Sequence, residues 1–199
     1  MSTSTSTTAR FHAAVNTFDR RVDGVFDRMR GNRVTDRLFY GASALGDHSL
    51  IWLIFAVLRG LRSRHHVKGT LAAAAAIGAE SAIVNGGIKS IFRRQRPVYE
   101  GIRPLHLRKP RTSSFPSGHA TSAFCAAAML SEGDPLKPLY YGAAFVVAWS
   151  RVYVKIHHAS DVVGGIAMGM VMGRIGRRLF PLAPPTAGMP ESQGGLHRS

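Results

Sequence analysis

The sequence predicts an all-α fold: a membrane-embedded helical bundle of about five transmembrane helices, preceded by an N-terminal amphipathic helix at the interface. Two observations carry this expectation. Between its ends the 199-residue chain shows almost no strand periodicity, and its apolar residues gather into long segments, roughly Leu38–Leu61, Val67–Phe92, Ala120–Leu130, Leu139–Val154 and Val162–Phe180. Those segments are also rich in glycine and alanine. Glycine inside a helix costs about 1 kcal/mol relative to alanine in water, whereas in lipid small residues let helices approach and pack.

The elements follow in order. Positions 1–9 are polar and low in complexity, and read as a disordered tail without the apolar core of a cleavable signal peptide. Over 10–37, Phe11, Val15, Phe18, Val22, Val25, Phe26 and Met29 recur at helical spacing among Arg20, Arg21, Asp23, Asp27 and Arg28, which predicts one amphipathic helix. Residues 38–180 read as a single membrane-embedded domain. A crossing takes about 20 mostly apolar residues. Val67–Phe92 and Val162–Phe180 reach that length, but Asp47 and His48 interrupt the first segment and Ala120–Leu130 is short. Glu80 and Asn85, inside the second segment, are expected to face other helices rather than lipid. Gly165, Gly169 and Gly173 form small-xxx-small steps, suited to packing within the chain or, alternatively, to a homodimer contact. Positions 181–199, rich in Pro, Gly and Ser, read as a second disordered tail. The competing fold is a soluble alanine-rich bundle.

A net charge of +15 favours anionic partners. The basic residues lack the aromatic interleaving and module signatures of nucleic-acid binding, so no nucleic-acid partner is expected. Cys125 is the single cysteine, which excludes a disulfide framework and a cysteine-based zinc site. It reads as a small buried hydrophobe.

Chemistry-bearing residues concentrate in Lys89–Pro97 (KSIFRRQRP), Pro116–His119 (PSGH) and Ser150–Asp161 (SRVYVKIHHASD). If the apolar segments cross in alternation, all three clusters fall on the same side of the membrane. Lys89, Arg96 and Arg151 supply fixed cations, and arginine can bind two phosphate oxygens at once. Ser117 and Gly118 open an apolar helix, where free N–H groups and the helix dipole favour an anion. Ser117 suits an N-cap or a hydroxyl donor, and Gly118 lets the backbone come close. Asp161, one turn after His157, can hold one ring nitrogen and leave the other as a nucleophile. His119 is placed to protonate a leaving alkoxide. Such chemistry needs no metal and no cofactor.

These residues resemble the type 2 phosphatidic acid phosphatase family, whose superfamily includes the vanadium haloperoxidases. Lys-x6-Arg-Pro, Pro-Ser-Gly-His and Ser-Arg-x5-His-x3-Asp are all present without a substitution at their defining positions. The resemblance implies His157 as nucleophile, Asp161 as its partner and His119 as acid. It implies Lys89, Arg96, Ser117, Gly118 and Arg151 as phosphate ligands. The substrate would be a membrane lipid phosphate, with phosphatidic acid, phosphatidylglycerol phosphate and polyprenyl (undecaprenyl-type) diphosphate all open. Two departures stand out. Family members often have six crossings, and the residue after the nucleophile is commonly aromatic, whereas here it is His158.

His158 reads as a neighbour rather than a participant, and His48, His65 and His66 as interfacial residues. Arg93 and Arg94 read equally as a solvated face or as contacts for anionic headgroups. Lysines and arginines are more numerous on the site's side, which by the positive-inside rule would place it in the cytoplasm. Part of that excess is phosphate ligands, and the resemblance suggests an outward site, so an extracytoplasmic site in a multi-pass cell-membrane protein is expected. The rival functions are a non-catalytic basic membrane protein that binds anionic lipids and a vanadate-dependent haloperoxidase-like enzyme.

Overall fold

The computed structural model describes residues 3–62, 67–99, 107 and 112–181. Among them there are helices and no strands. Helix α1 (Thr3–Asp27) is followed by α2 (Arg33–Leu45), a 3-10 turn (Asp47–Ser49) and α3 (Leu50–Leu61). Then α4 (Val67–Ala82) runs through a π-helical turn (Ile83–Ile88) into the short α5 (Lys89–Ile91). The bundle closes with α6 (Gly118–Leu130), α7 (Lys137–Tyr153) and α8 (Ala159–Leu179).

The middle of the bundle is α6, which packs against α8, α7, α4 and α3. Its sequence, GHATSAFCAAAML, is small nearly throughout, so neighbouring helices approach it from every side. Ala123, Ala126, Ala127, Met129 and Leu130 join Trp52, Ala56, Ala73, Ile77, Tyr140, Ala144 and Val147 in the main core. Cys125 is buried there as a small hydrophobe.

The glycines of α8 explain its close seat on α6. A Cβ at Gly169 would fall 2.3 Å from the Thr121 carbonyl oxygen and 3.0 Å from the Cys125 nitrogen. At Gly173 it would meet Ala128 at 2.5 Å and the Cys125 carbonyl at 2.9 Å. The obstacles include backbone, which cannot swing aside. Gly165, Gly169 and Gly173 are buried within the chain, so the homodimer contact drawn through them is corrected: α6 already occupies that stripe. Gly169→Ala is therefore expected to destabilise by about 2–3 kcal/mol, an overpacking cost. Gly24→Ala in α1, where nothing lies within 4 Å of the added carbon, is expected to be neutral or better. Thermal unfolding of the two variants in detergent checks the contrast.

Three further expectations change. The single amphipathic helix over 10–37 is two helices. Gly31 adopts φ +85, a conformation that ends a helix, and the Asn32 side chain accepts from the Val34 and Thr35 amides to start the next. Helix α1 also begins at Thr3, inside the stretch read as a tail, because nothing there breaks a helix. The first apolar segment bends by 73° between α2 and α3, where Gly46, Asp47 and Ser49 replace continuous helix. Residues beyond 181, His65 and His66, and the His48 side chain lie outside the described residues.

Among the described residues, Gly69–Ile91 is long and apolar enough to cross a membrane, and the bent α2–α3 pair passes the same test if taken as one span. The 13 residues of α6 make only about 20 Å of helix. The outer faces of the bundle are nonetheless strongly apolar. Leu53, Ile54, Val57 and Leu58 on α3, Leu71 and Ile83, Leu139 and Phe145 on α7, and Val163, Val171 and Ile175 on α8 are all exposed. So much outward aliphatic surface suits lipid better than water. Glu80, as expected, faces inward and accepts from Ser122 of α6 at 2.5 Å.

Candidate active site

At one end of the bundle, the start of α5, the start of α6, the loop between α7 and α8, and the Gly46–Ser49 turn line a cavity of about 950 Å³. Its lining follows α4 from Ala74 and Ile77 through Ser81, Ala82 and Asn85 to Lys89. That stretch is about 22 Å of helix, apolar at one end and cationic at the other. Opposite stand Gly118, His119 and Ser122, with Arg151 and His157 beside them and Leu53 from α3. All three sequence clusters reach this one space, and both candidate catalytic histidines line it.

Local structure explains each placement. The π turn directly precedes Lys89, which is buried and donates to Asn85 Oδ1 at 2.9 Å. Such turns often mark functional sites. Ser117 is the N-cap of α6, its hydroxyl accepting from the Ala120 amide at 3.5 Å, and it is fully buried. A Cβ on Gly118 would come 3.3 Å from the Lys89 ammonium, so the missing side chain leaves room for that cation at the helix start. After α7, the Ile156 and His157 amides both fold back onto the Arg151 carbonyl, at 3.0 and 3.1 Å, with Lys155 at φ 50 turning the chain. Arg151 and His157 are thereby tied together through their backbones.

His157 is 2% exposed. Its Nδ1 lies 3.6 Å from Asp161 Oδ2 and 3.5 Å from the Ser114 hydroxyl, and its Nε2 is 3.0 Å from an Arg96 nitrogen. Burial lowers its pKa to about 3 despite the Asp161 interaction, and Arg96 and Arg151 push the same way as burial. The ring is neutral at physiological pH, and a neutral imidazole has the lone pair a nucleophile needs. Arg96 sits against that lone pair while also donating to the Ile156, Thr112 and Ser113 carbonyls.

Asp161 is more firmly held than the histidine it faces. Oδ1 accepts from Arg94 at 2.6 Å, and Oδ2 accepts from Ser114 at 2.5 Å and from the His158 amide at 2.8 Å. The last bond is half of a capping box: His158 is the N-cap of α8 and Asp161 its third residue. One carboxylate thus starts the helix and faces the imidazole. His158, the residue after the candidate nucleophile, serves as that cap.

His119 Nε2 is 3.0 Å from Asp47 Oδ1 and 3.3 Å from the Ser43 carbonyl. Two acceptors hold a proton at this nitrogen. Gly46 makes the contact sterically feasible, since a Cβ there would meet the His119 ring at 2.7 Å. The guanidinium of Arg151, almost fully buried, donates to the Ser43 hydroxyl.

Every residue selected from sequence lies at this end, but its partners were missed. Ser114, Ser43, Asp47, Asp19 and Arg94 were not assigned to the site. Arg94 was read as a solvated or headgroup-facing residue, and it instead bridges Asp161 and Asp19. Asp47 did carry a signal: an acid interrupting an apolar segment is costly and tends to have a function. Among the described residues, no three of His, Cys, Asp or Glu gather as a metal site.

A cation-lined cavity with a carboxylate-backed neutral imidazole, at the end of an outwardly apolar helical bundle, defines a phosphoryl-transfer enzyme that works at a membrane. The PAP2 superfamily model matches residues 69–183, and the chain belongs to that superfamily. Decaprenylphosphoryl-5-phosphoribose phosphatase of Mycobacterium tuberculosis is 36% identical over 136 residues, spanning 68% of this chain and 75% of that protein. A transmembrane PAP2-type phosphatidylglycerolphosphate phosphatase from Bacillus subtilis matches with a TM-score of 0.63 and 25% identity, over 83% of this chain and 86% of that one. LpxE of Aquifex aeolicus shares the fold, with a TM-score of 0.62 at 24% identity over 81% and 93% of the two chains.

Proposed function

We propose that this protein hydrolyses a lipid phosphate monoester or diphosphate at the membrane through a phosphohistidine intermediate, without a metal. The observation that carries the reading is the convergence of His157, His119, Lys89 and Arg151 on one cavity whose other end is apolar, with Arg96 3.0 Å from His157 Nε2. The cations and the α6 N-terminus, with the Gly118 amide at its start, hold the phosphate oxygens, while the Ser117 amide is spent on the Asp161 carbonyl at 3.0 Å. His157 Nε2 attacks phosphorus as the ester P–O bond breaks, and His119 gives its proton to the departing oxygen. Water then attacks the P–N bond, with His119 accepting its proton, and inorganic phosphate leaves. Asp161 supports the charge that His157 gains.

The apolar length of the cavity fits a lipid chain. The names of the relatives support an isoprenoid-linked phosphate or phosphatidylglycerol phosphate, with phosphatidic acid alongside. Five crossings, with the shorter helices accommodated by the bundle around them, and an extracytoplasmic site complete the proposal.

The test is phosphate release by the purified protein from phosphatidic acid, phosphatidylglycerol phosphate, undecaprenyl diphosphate and decaprenylphosphoryl-5-phosphoribose, each with and without EDTA. Release from at least one of them, undiminished by EDTA, is expected. Loss of activity on chelation, restored by a divalent ion, would refute the metal-independent mechanism. Binding of these lipids with no release would favour the non-catalytic alternative.

A further inference from the structure

The N-terminal helix reaches the site, although it lies outside the residues that the family model matches. Helix α1 packs against α8 and α7. On its inner face Asp19 is only 7% exposed, an unusual position for a carboxylate unless its partners are fixed. Those partners are all near the site. Asp19 Oδ1 accepts from the Ser160 amide at 2.7 Å, and Oδ2 accepts from the Ser160 hydroxyl at 2.9 Å and from Arg94 Nη2 at 2.6 Å.

Arg94 spends its other terminal nitrogen on Asp161 Oδ1 and on the Ser160 hydroxyl, at 2.6 and 2.7 Å. Its backbone is pinned as well. The carbonyl accepts from the Ser114 amide at 2.9 Å, and the amide donates to the Ser113 hydroxyl at 3.2 Å. A planar guanidinium held between two carboxylates has little freedom, so it fixes the rotation of each. With Oδ1 of Asp161 anchored by Arg94, Oδ2 is the oxygen left to face Ser114 and His157.

We propose that Asp19 and Arg94 are positioning residues for the nucleophile: Asp19 orients Arg94, Arg94 orients Asp161, and Asp161 aligns the His157 ring. The inference rests on the proposed role of His157. It assigns α1 a part in catalysis that neither its amphipathic pattern nor the family motifs contain. Outer partners of this kind typically matter by about 10–100-fold when removed. The other titratable groups near Asp161 are His157, Lys89 and Arg96, which the Asp19 and Arg94 variants leave in place.

The experiment compares the full-length protein with Asp19→Asn, Asp19→Glu, Arg94→Lys and His157→Ala in detergent micelles, using a short-chain phosphatidic acid. Besides kcat and KM, it measures inhibition by inorganic vanadate, which mimics the five-coordinate transition state, and by inorganic phosphate, which does not. Asp19→Asn and Arg94→Lys are expected to lower kcat by about 10–100-fold with KM nearly unchanged. Vanadate inhibition weakens by a similar factor while phosphate inhibition stays, and Asp19→Glu recovers part of the loss. A kcat within twofold of the parent protein in Asp19→Asn overturns the inference. So does a parallel loss of phosphate inhibition and thermal midpoint, which would mark a merely structural contact. If His157→Ala remains active, the reading of the site itself has failed, and that outcome is separate from normal activity in the Asp19 and Arg94 variants.

Discussion

His157→Ala is expected to eliminate phosphate release, with kcat falling by about 10⁴-fold or more, as when a covalent catalyst loses its nucleophile. No neighbouring group substitutes for it. Asp161 has both oxygens engaged by Arg94, Ser114 and the His158 amide. The Ser114 hydroxyl donates to that same carboxylate and stands on the Nδ1 side of the ring, away from Arg96. The cations remain, so lipid phosphate binding should persist and KM should change little. Two measurements check this. Phosphate release and lipid binding on the same preparation separate chemistry from recognition. Rapid acid-free quenching with labelled substrate should trap base-stable, acid-labile label on the parent protein and none on the variant. Label on another residue, or activity within tenfold of the parent protein, would overturn the assignment.

The site was legible where its chemistry is local in sequence. Pro116–His119 opens a helix, so a string of adjacent residues places both the proposed anion site and the proposed acid. His157 and Asp161 are one helical turn apart, and that short separation survives folding as a contact across the α8 N-cap. The supports were not legible because they are long-range. Arg94 and Asp19 are 75 positions apart, and His119 meets Asp47 through a bend that hydropathy registers only as an interruption. On sequence, Arg94 looks the same as Arg93. Only the fold distinguishes the one between two carboxylates.

The helices divide along similar lines. Strong apolar runs gave α6, α7 and α8 nearly at their observed bounds, and Val67–Phe92 covers α4, the π turn and α5 as one segment. The break after α1 was hidden because Phe26 and Met29 continue the periodic pattern up to Gly31. The glycine–asparagine pair that ends one helix and caps the next is a two-residue signal against a longer periodic one. The glycine stripe of α8 was recognised as an interface, but which surface it meets depends on α6 having small residues at the matching heights.

His119→Asn is expected to lower kcat on lipid phosphates by about 10²–10⁴-fold, the usual value of a positioned general acid. Its effect should depend on the leaving group, and that separates it from His157. An alkoxide leaving from a lipid needs a proton as the P–O bond breaks, whereas p-nitrophenolate leaves readily without one. With p-nitrophenyl phosphate as substrate, His119→Asn should lose far less activity in the first step, and hydrolysis of the phosphohistidine should then limit turnover. His157→Ala should be inactive on both substrates. Asp47→Asn should follow His119→Asn in pattern with a smaller loss, because Asp47 faces the Nε2 proton at 3.0 Å and orients the ring. Equal losses on the two substrates in His119→Asn would mean the ring does not protonate the leaving group. Its contacts with Ser43 and Asp47 would then serve only to hold the α2–α3 bend against α6.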